Sequence, residues 1–156
     1  SPDVYGFCFA AIVVGYMIGA YLSGRFTIRL SLERMVQFGT AVQVAGGLLG
    51  VALYAAGIVS VTAVVGPVVI FMIGTGLVLP NAQAGAIGPF PRVAGSASAL
   101  LGFFQMGLAA VVGIVVGHGS GQSALAMMLA ICLVALGAAL SYWIVVRPAP
   151  LPAEAD

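Results

Sequence analysis

The residues able to do chemistry are few and mostly neutral. The chain has five arginines, no lysine, four acids and one histidine in 156 residues. Inside its long apolar runs the polar side chains of note are Tyr16, Gln37, Gln43, Asn81, Gln83 and Gln105. Amides and phenols do not ionise at neutral pH, so their chemistry is to hold a polar group of a ligand or of a neighbouring helix. Asn81, just after Pro80 in the third span, and Gln105, near the middle of the fourth, are the best candidates for lining a substrate cavity. A hydrogen bond from one helix to the next is the alternative for each. Tyr16 adds a hydroxyl in mid-span, and Gln37 lies near a span end where water reaches.

Catalysis finds no constellation. His118 stands alone beside a glycine-rich turn, so there is no nucleophile–base pair and no metal cluster. Cys8 and Cys132 are far apart with no CxxC spacing, and read as two small buried side chains. The expectation is a non-enzyme with no cofactor and no metal. Five scattered arginines and a net charge of +1 form no basic patch, which excludes nucleic acid as a partner.

The elements that must position these residues are set by where charge is missing. Residues 35–91 carry no formal charge, and 93–146 carry none apart from His118. A soluble domain needs charged side chains to cover its surface. Here 62% of residues are hydrophobic, 6% are charged, and the mean hydropathy is +1.20. A membrane crossing takes roughly 20 residues at about 1.5 Å each, so each run holds two crossings. Unbroken hydrophobicity, rather than alternation, selects helices over barrel strands.

The expected architecture is all-α and integral to the membrane, with transmembrane helices over about 5–22, 35–56, 61–87, 93–117 and 124–146. Residues 1–147 form the bundle and 148–156 a cytoplasmic tail, whose prolines at 148, 150 and 152 cannot continue a helix. Arg25, Arg29 and Arg34 follow the first span, Arg92 the third and Arg147 the fifth; the other two loops have no basic residue. Positive loops stay in the cytoplasm, so the C-terminus is predicted inside. The chain opens Ser-Pro-Asp with no signal peptide and reads as an excerpt of a longer protein.

Within lipid, helices associate by close packing of small residues. Gly15-xxx-Gly19, Gly46-xxx-Gly50 and Gly113-xxx-Gly117 each put two glycines on one helix face, and Ala94, Ser98 and Gly102 continue the theme. Pro80 removes a backbone donor in the third span, with Gly74, Gly76 and Gly85 nearby. It is the expected helix hinge, with a static bend as the alternative.

Two segments carry a resemblance. One is Gly19-Ala-Tyr-Leu-Ser-Gly-Arg25-Phe-Thr-Ile-Arg29-Leu-Ser-Leu-Glu33-Arg34. The other, more distinctive, is Pro80-Asn81 through Pro89-Phe-Pro-Arg92-Val-Ala-Gly-Ser-Ala-Ser-Ala99 to Gln105. Together they resemble the C-terminal half of the Bcr/CflA drug-resistance subfamily of the major facilitator superfamily. The resemblance implies the last five helices of a twelve-helix bundle in a bacterial inner membrane. It implies efflux of amphiphilic small molecules by alternating access, with protons carried through the missing N-terminal half. It also implies that spans one, three and four face a central cavity, which favours Tyr16, Asn81 and Gln105 as substrate contacts over Gln43. Arg25, Arg29, Glu33, Arg34 and Arg92 would then form the cytoplasmic gate loops, with Ser23 and Gly24 where the superfamily usually has an acid. Arg29 and Glu33 are expected to be one helical turn apart and able to pair. The alternative function is a structural or assembly subunit that packs through its small-residue faces.

Overall fold

The structure is a computed structural model that describes residues 2–58, 60–119 and 124–146. The expected tail at 148–156, Arg147 and the side chain of His118 lie outside the described residues. Among the described residues there are five long apolar helices: α1 (Pro2–Phe26), α2 (Leu32–Ala55), α3 (Val61–Ile87), α4 (Ala94–Gly119) and α5 (Ala124–Ser141). A short 3-10 turn, Pro91–Val93, precedes α4, and a π-helical turn, Tyr142–Val146, extends α5. All five are long and apolar enough to cross a membrane, and the chain is a multi-pass membrane protein on that basis.

Local chemistry explains the ends. Ser31 caps α2, its hydroxyl accepting from the Arg34 amide, and Ser60 caps α3 by accepting from Ala63. After α2 the chain makes a Schellman turn: the Gly57 amide reaches the Tyr54 carbonyl and the Ile58 amide reaches Leu53. Gly57 takes φ 74°, a conformation that costs a residue with a Cβ. The boundaries of the first two helices differ most from expectation, the first starting at Pro2 rather than Tyr5. The first helix runs a full turn beyond Leu22, and the second begins at Leu32 rather than Met35, because Ser31 captures the first turn. Arg29 therefore sits in the turn between helices, not on one.

Of the sequence neighbours, α2 and α3 pack closely, but the rest of the packing does not follow chain order. α3 packs on α1 and on α2, and α2 packs on α5, giving the order α1–α3–α2–α5. Glycines make these seams. A Cβ added to Gly19 would strike the Ile73 carbonyl, and one added to Gly76 would strike the Tyr16 carbonyl, so α1 and α3 touch backbone to backbone. On the other flank a Cβ at Gly74 would lie 2.7 Å from the Gly39 carbonyl oxygen. A Cβ on Gly47 would lie 2.9 Å from Cys132 Cα, which closes α2 against α5. Lipid gives no hydrophobic drive between helices, so this dispersion contact at short range is what holds them.

The pairings also fix direction. Gly15 meets Val69 and Gly19 meets Ile73, so α1 and α3 are parallel. Gly39 meets Gly74 while Gly46 meets Pro67 and Phe71, so α2 runs against α3. Arg25, Arg34 and the end of α3 leading to Arg92 consequently share one end of the bundle. α4 is different: it touches α3 and α5 only sparsely, and none of its described residues is buried.

Candidate functional site

Asn81 is the most heavily engaged of the candidate residues. It lies on α3, is 4% exposed, and faces α1. Its Nδ2 donates to Ser23 Oγ at 2.6 Å and to the Leu77 carbonyl at 2.7 Å, while its Oδ1 accepts from Thr27 Oγ1 at 3.0 Å. Thr27 has one hydroxyl proton and shares it with the Ser23 carbonyl, 2.6 Å away. Of the two readings open for Asn81, the geometry is that of the helix-to-helix bond. Ser23, which stands where the resemblance expects an acid at the gate, is thus a neutral partner buried in this network.

Pro80, one residue earlier, is exposed, and α3 stays helical through it and through Pro67. The helix is held to α1 on both sides of Pro80, by Gly76 before it and Asn81 after it. Free flexing at this proline would break one of those attachments.

Gln43, ranked low by the resemblance, is buried between α2 and α3. Its Nε2 donates to Thr75 Oγ1 at 3.0 Å, and Thr75 passes its own proton to the Phe71 carbonyl. The Gln43 Oε1 is buried without a partner. Turning the amide over would set two oxygens face to face, since the Thr75 proton is already committed. A signal for this burial was present in the spacing: Gly39, Gln43, Gly46 and Gly50 lie at i, i+4, i+7 and i+11, one stripe of a helix.

Gln105 belongs to a separate place. It is exposed on α4 and lines a cleft of about 250 Å³ between α3 and α4 with Leu79, Ala82, Gln83, Leu101, Phe104 and Leu108. Two amides, Gln83 and Gln105, are the polar groups of an otherwise apolar wall. Such a cleft can take an apolar body and bond one polar group on it. Phe103 and Phe104 meet edge to face at 5.8 Å on this helix. Asn81 points away from the cleft toward α1, and Tyr16, half-buried on α1, does not line it. Tyr16, Asn81 and Gln105 therefore do not converge.

At the arginine end, Arg25, Arg29, Glu33, Arg34 and Arg92 are all exposed. Arg29 and Glu33 form no ion pair among the described residues. Glu33 Oε1 instead accepts a hydrogen bond from Tyr142 Oη at 3.0 Å, fastening the start of α2 to the π-helical end of α5. Tyr142 is 3% exposed, a burial that its position near the chain's charged end did not suggest. Cys132 is buried against Gly47 and Cys8 is half-buried on α1.

No family model matches the chain, and no curated protein or solved structure matches it either.

Proposed function

We propose that this chain is part of a membrane transporter of the Bcr/CflA type, one wall of an alternating-access exporter of amphiphilic molecules. The observation that carries the reading is the combination of five apolar spans, charged only near one end, with arginines gathered at that end, together with the Pro89-Phe-Pro-Arg-Val-Ala-Gly-Ser-Ala-Ser-Ala99 segment. Positive loops are retained on the cytoplasmic side, so Arg25, Arg29, Arg34 and Arg92 face the cytoplasm of a bacterial inner membrane. The α3–α4 cleft supports the reading further, since its apolar wall with Gln83 and Gln105 suits a greasy substrate bearing one polar group. The only acid in the candidate spans is Glu33, in the first turn of α2 at the arginine end, so no carboxylate lies in mid-membrane and this reading assigns proton coupling to residues outside this chain.

Drug accumulation in cells expressing the full-length parent gene tests the proposal. Efflux collapses under a protonophore if transport is proton-coupled antiport; unchanged efflux overturns that coupling. Gln105→Leu alters the range of compounds exported, whereas Gln43→Leu leaves it as it was. Equal effects at both positions overturn the cleft as the substrate wall.

A second reading, a packing subunit without transport, draws on the bare small-residue face of α4. Cysteines introduced along α4 separate the two. Substrate protects them from thiol reagents in a transporter and leaves their labelling unchanged in a packing subunit.

A further inference from the structure

A second groove lies on the far side of α2, where α2 meets α5. Gln37, Thr40, Ala41, Val44, Ala45 and Leu48 of α2 form its floor, and Ala139 and Trp143 of α5 its wall. It is an open groove of about 650 Å³, within the roughly 300–1,000 Å³ usual for small-molecule sites. From Gln37 to Leu48 the floor is about 16 Å long at roughly 1.5 Å per residue, close to half of the ~30 Å hydrocarbon thickness. A groove for a partner helix would continue across the membrane. This one has the depth of a single leaflet.

The groove is also polarised. Gln37, Thr40 and Trp143 stand at the end nearer the arginines, and beyond them the floor is alanine, valine and leucine. Indole rings favour the level where headgroups meet hydrocarbon. One turn above Gln37 come Glu33 and Arg34, at i−4 and i−3. At about 100° per residue they straddle the axis of the groove floor, roughly 50° to either side. Both are exposed, and neither forms an ion pair among the described residues. The Tyr142 bond holds the Glu33 carboxylate on the α5 side, and Arg34 stands on the other.

We propose that this groove binds one membrane phospholipid whose headgroup carries both a phosphate and a primary ammonium, a phosphatidylethanolamine. The phosphate lies against the Arg34 guanidinium, which presents a planar fork of donors to oxyanions. The ammonium donates to the Glu33 carboxylate. One acyl chain lies along Ala41, Val44, Ala45 and Leu48. A choline headgroup has no N–H to give Glu33, and a glycerol headgroup has no cation, so each satisfies only half of the pair.

The full chain, purified in mild detergent with equal parts of phosphatidylethanolamine, phosphatidylcholine and phosphatidylglycerol, gives the test by native mass spectrometry. The expected result is severalfold greater retention of phosphatidylethanolamine than of either other lipid. Glu33→Gln keeps an acceptor for Tyr142 but removes the charge, and shifts the preference to phosphatidylglycerol. Arg34→Gln lowers retention of all three. Ala45 is exposed and outside the glycine seams, so Ala45→Phe fills the groove without disturbing α3, and bound lipid is lost. Equal retention of the three lipids by the native chain overturns the proposal. So does a native preference for phosphatidylglycerol, or an Ala45→Phe chain that keeps its phosphatidylethanolamine. A dimer that replaces the lipid peak and dissociates on Ala45→Phe assigns the groove to a second copy and overturns it too.

Discussion

Gly15-xxx-Gly19 and Gly113-xxx-Gly117 are the same motif with opposite fates. On α1 both glycines press against the backbone of α3, so closely that no side chain fits. On α4 neither glycine has a neighbouring atom within 4 Å of where a Cβ would be, and the same is true of Gly95, Gly102 and Gly107. The contrast separates what a small-residue face permits from what it does. Glycine lowers the distance at which two helices can meet, but it supplies no attraction beyond the contacts that then form. α1, α3, α2 and α5 have used that permission. α4 has not, within this chain.

The largest expected effect comes from filling the used seam. Gly76→Leu forces α1 and α3 apart and destabilises the bundle by about 3 kcal/mol or more. Gly113→Leu changes stability by less than ~0.5 kcal/mol, because an exposed position meets nothing. Unfolding of both variants in the same mixed micelles reads the difference. If Gly113→Leu costs as much as Gly76→Leu, another surface covers α4 and the contrast disappears. Next comes Asn81→Leu, which strips Ser23 and Thr27 of their shared partner and costs about 1–2 kcal/mol in the same assay. Tyr142→Phe removes the hydroxyl that reaches Glu33 and costs about 1 kcal/mol, with faster hydrogen exchange at the α5 end as its local sign. The smallest effect belongs to Gln43→Leu. It gives up one hydrogen bond but also removes an orphaned buried oxygen, so stability stays within ~0.5 kcal/mol of the native chain or rises. A loss of ~2 kcal/mol there would mean that the Gln43 oxygen has a donor in the membrane.

The membrane class and the five helices were legible because they depend on totals: length, charge and hydropathy. Caps at Ser31 and Ser60 were legible in principle, since serine before an apolar run is a local signal. Which face of each helix meets which neighbour was not. These helices are apolar all round, and a small-residue stripe marks a face that can pack without naming the neighbour it packs on. Asn81 and Gln43 show the consequence. Both are amides in apolar spans, and only their neighbours tell a saturated network at Asn81 from an unpaired oxygen at Gln43. The order α1–α3–α2–α5 is likewise invisible along the chain, because it depends on Gly39, Gly74 and Gly76 meeting residues tens of positions away. Arg29 and Glu33 looked like a helical pair from spacing alone. The capping serine between them ended that geometry.

Gly74 and Gly76 face opposite neighbours with a single threonine between them. α3 is therefore clamped on two flanks at one level, like an axle seated in two bearings that allow no play. Turning it in either direction would drive one of its own side chains into the backbone of α1 or α2. Any widening of the α3–α4 cleft would then fall to α4, moving against the packed block of α1, α3, α2 and α5.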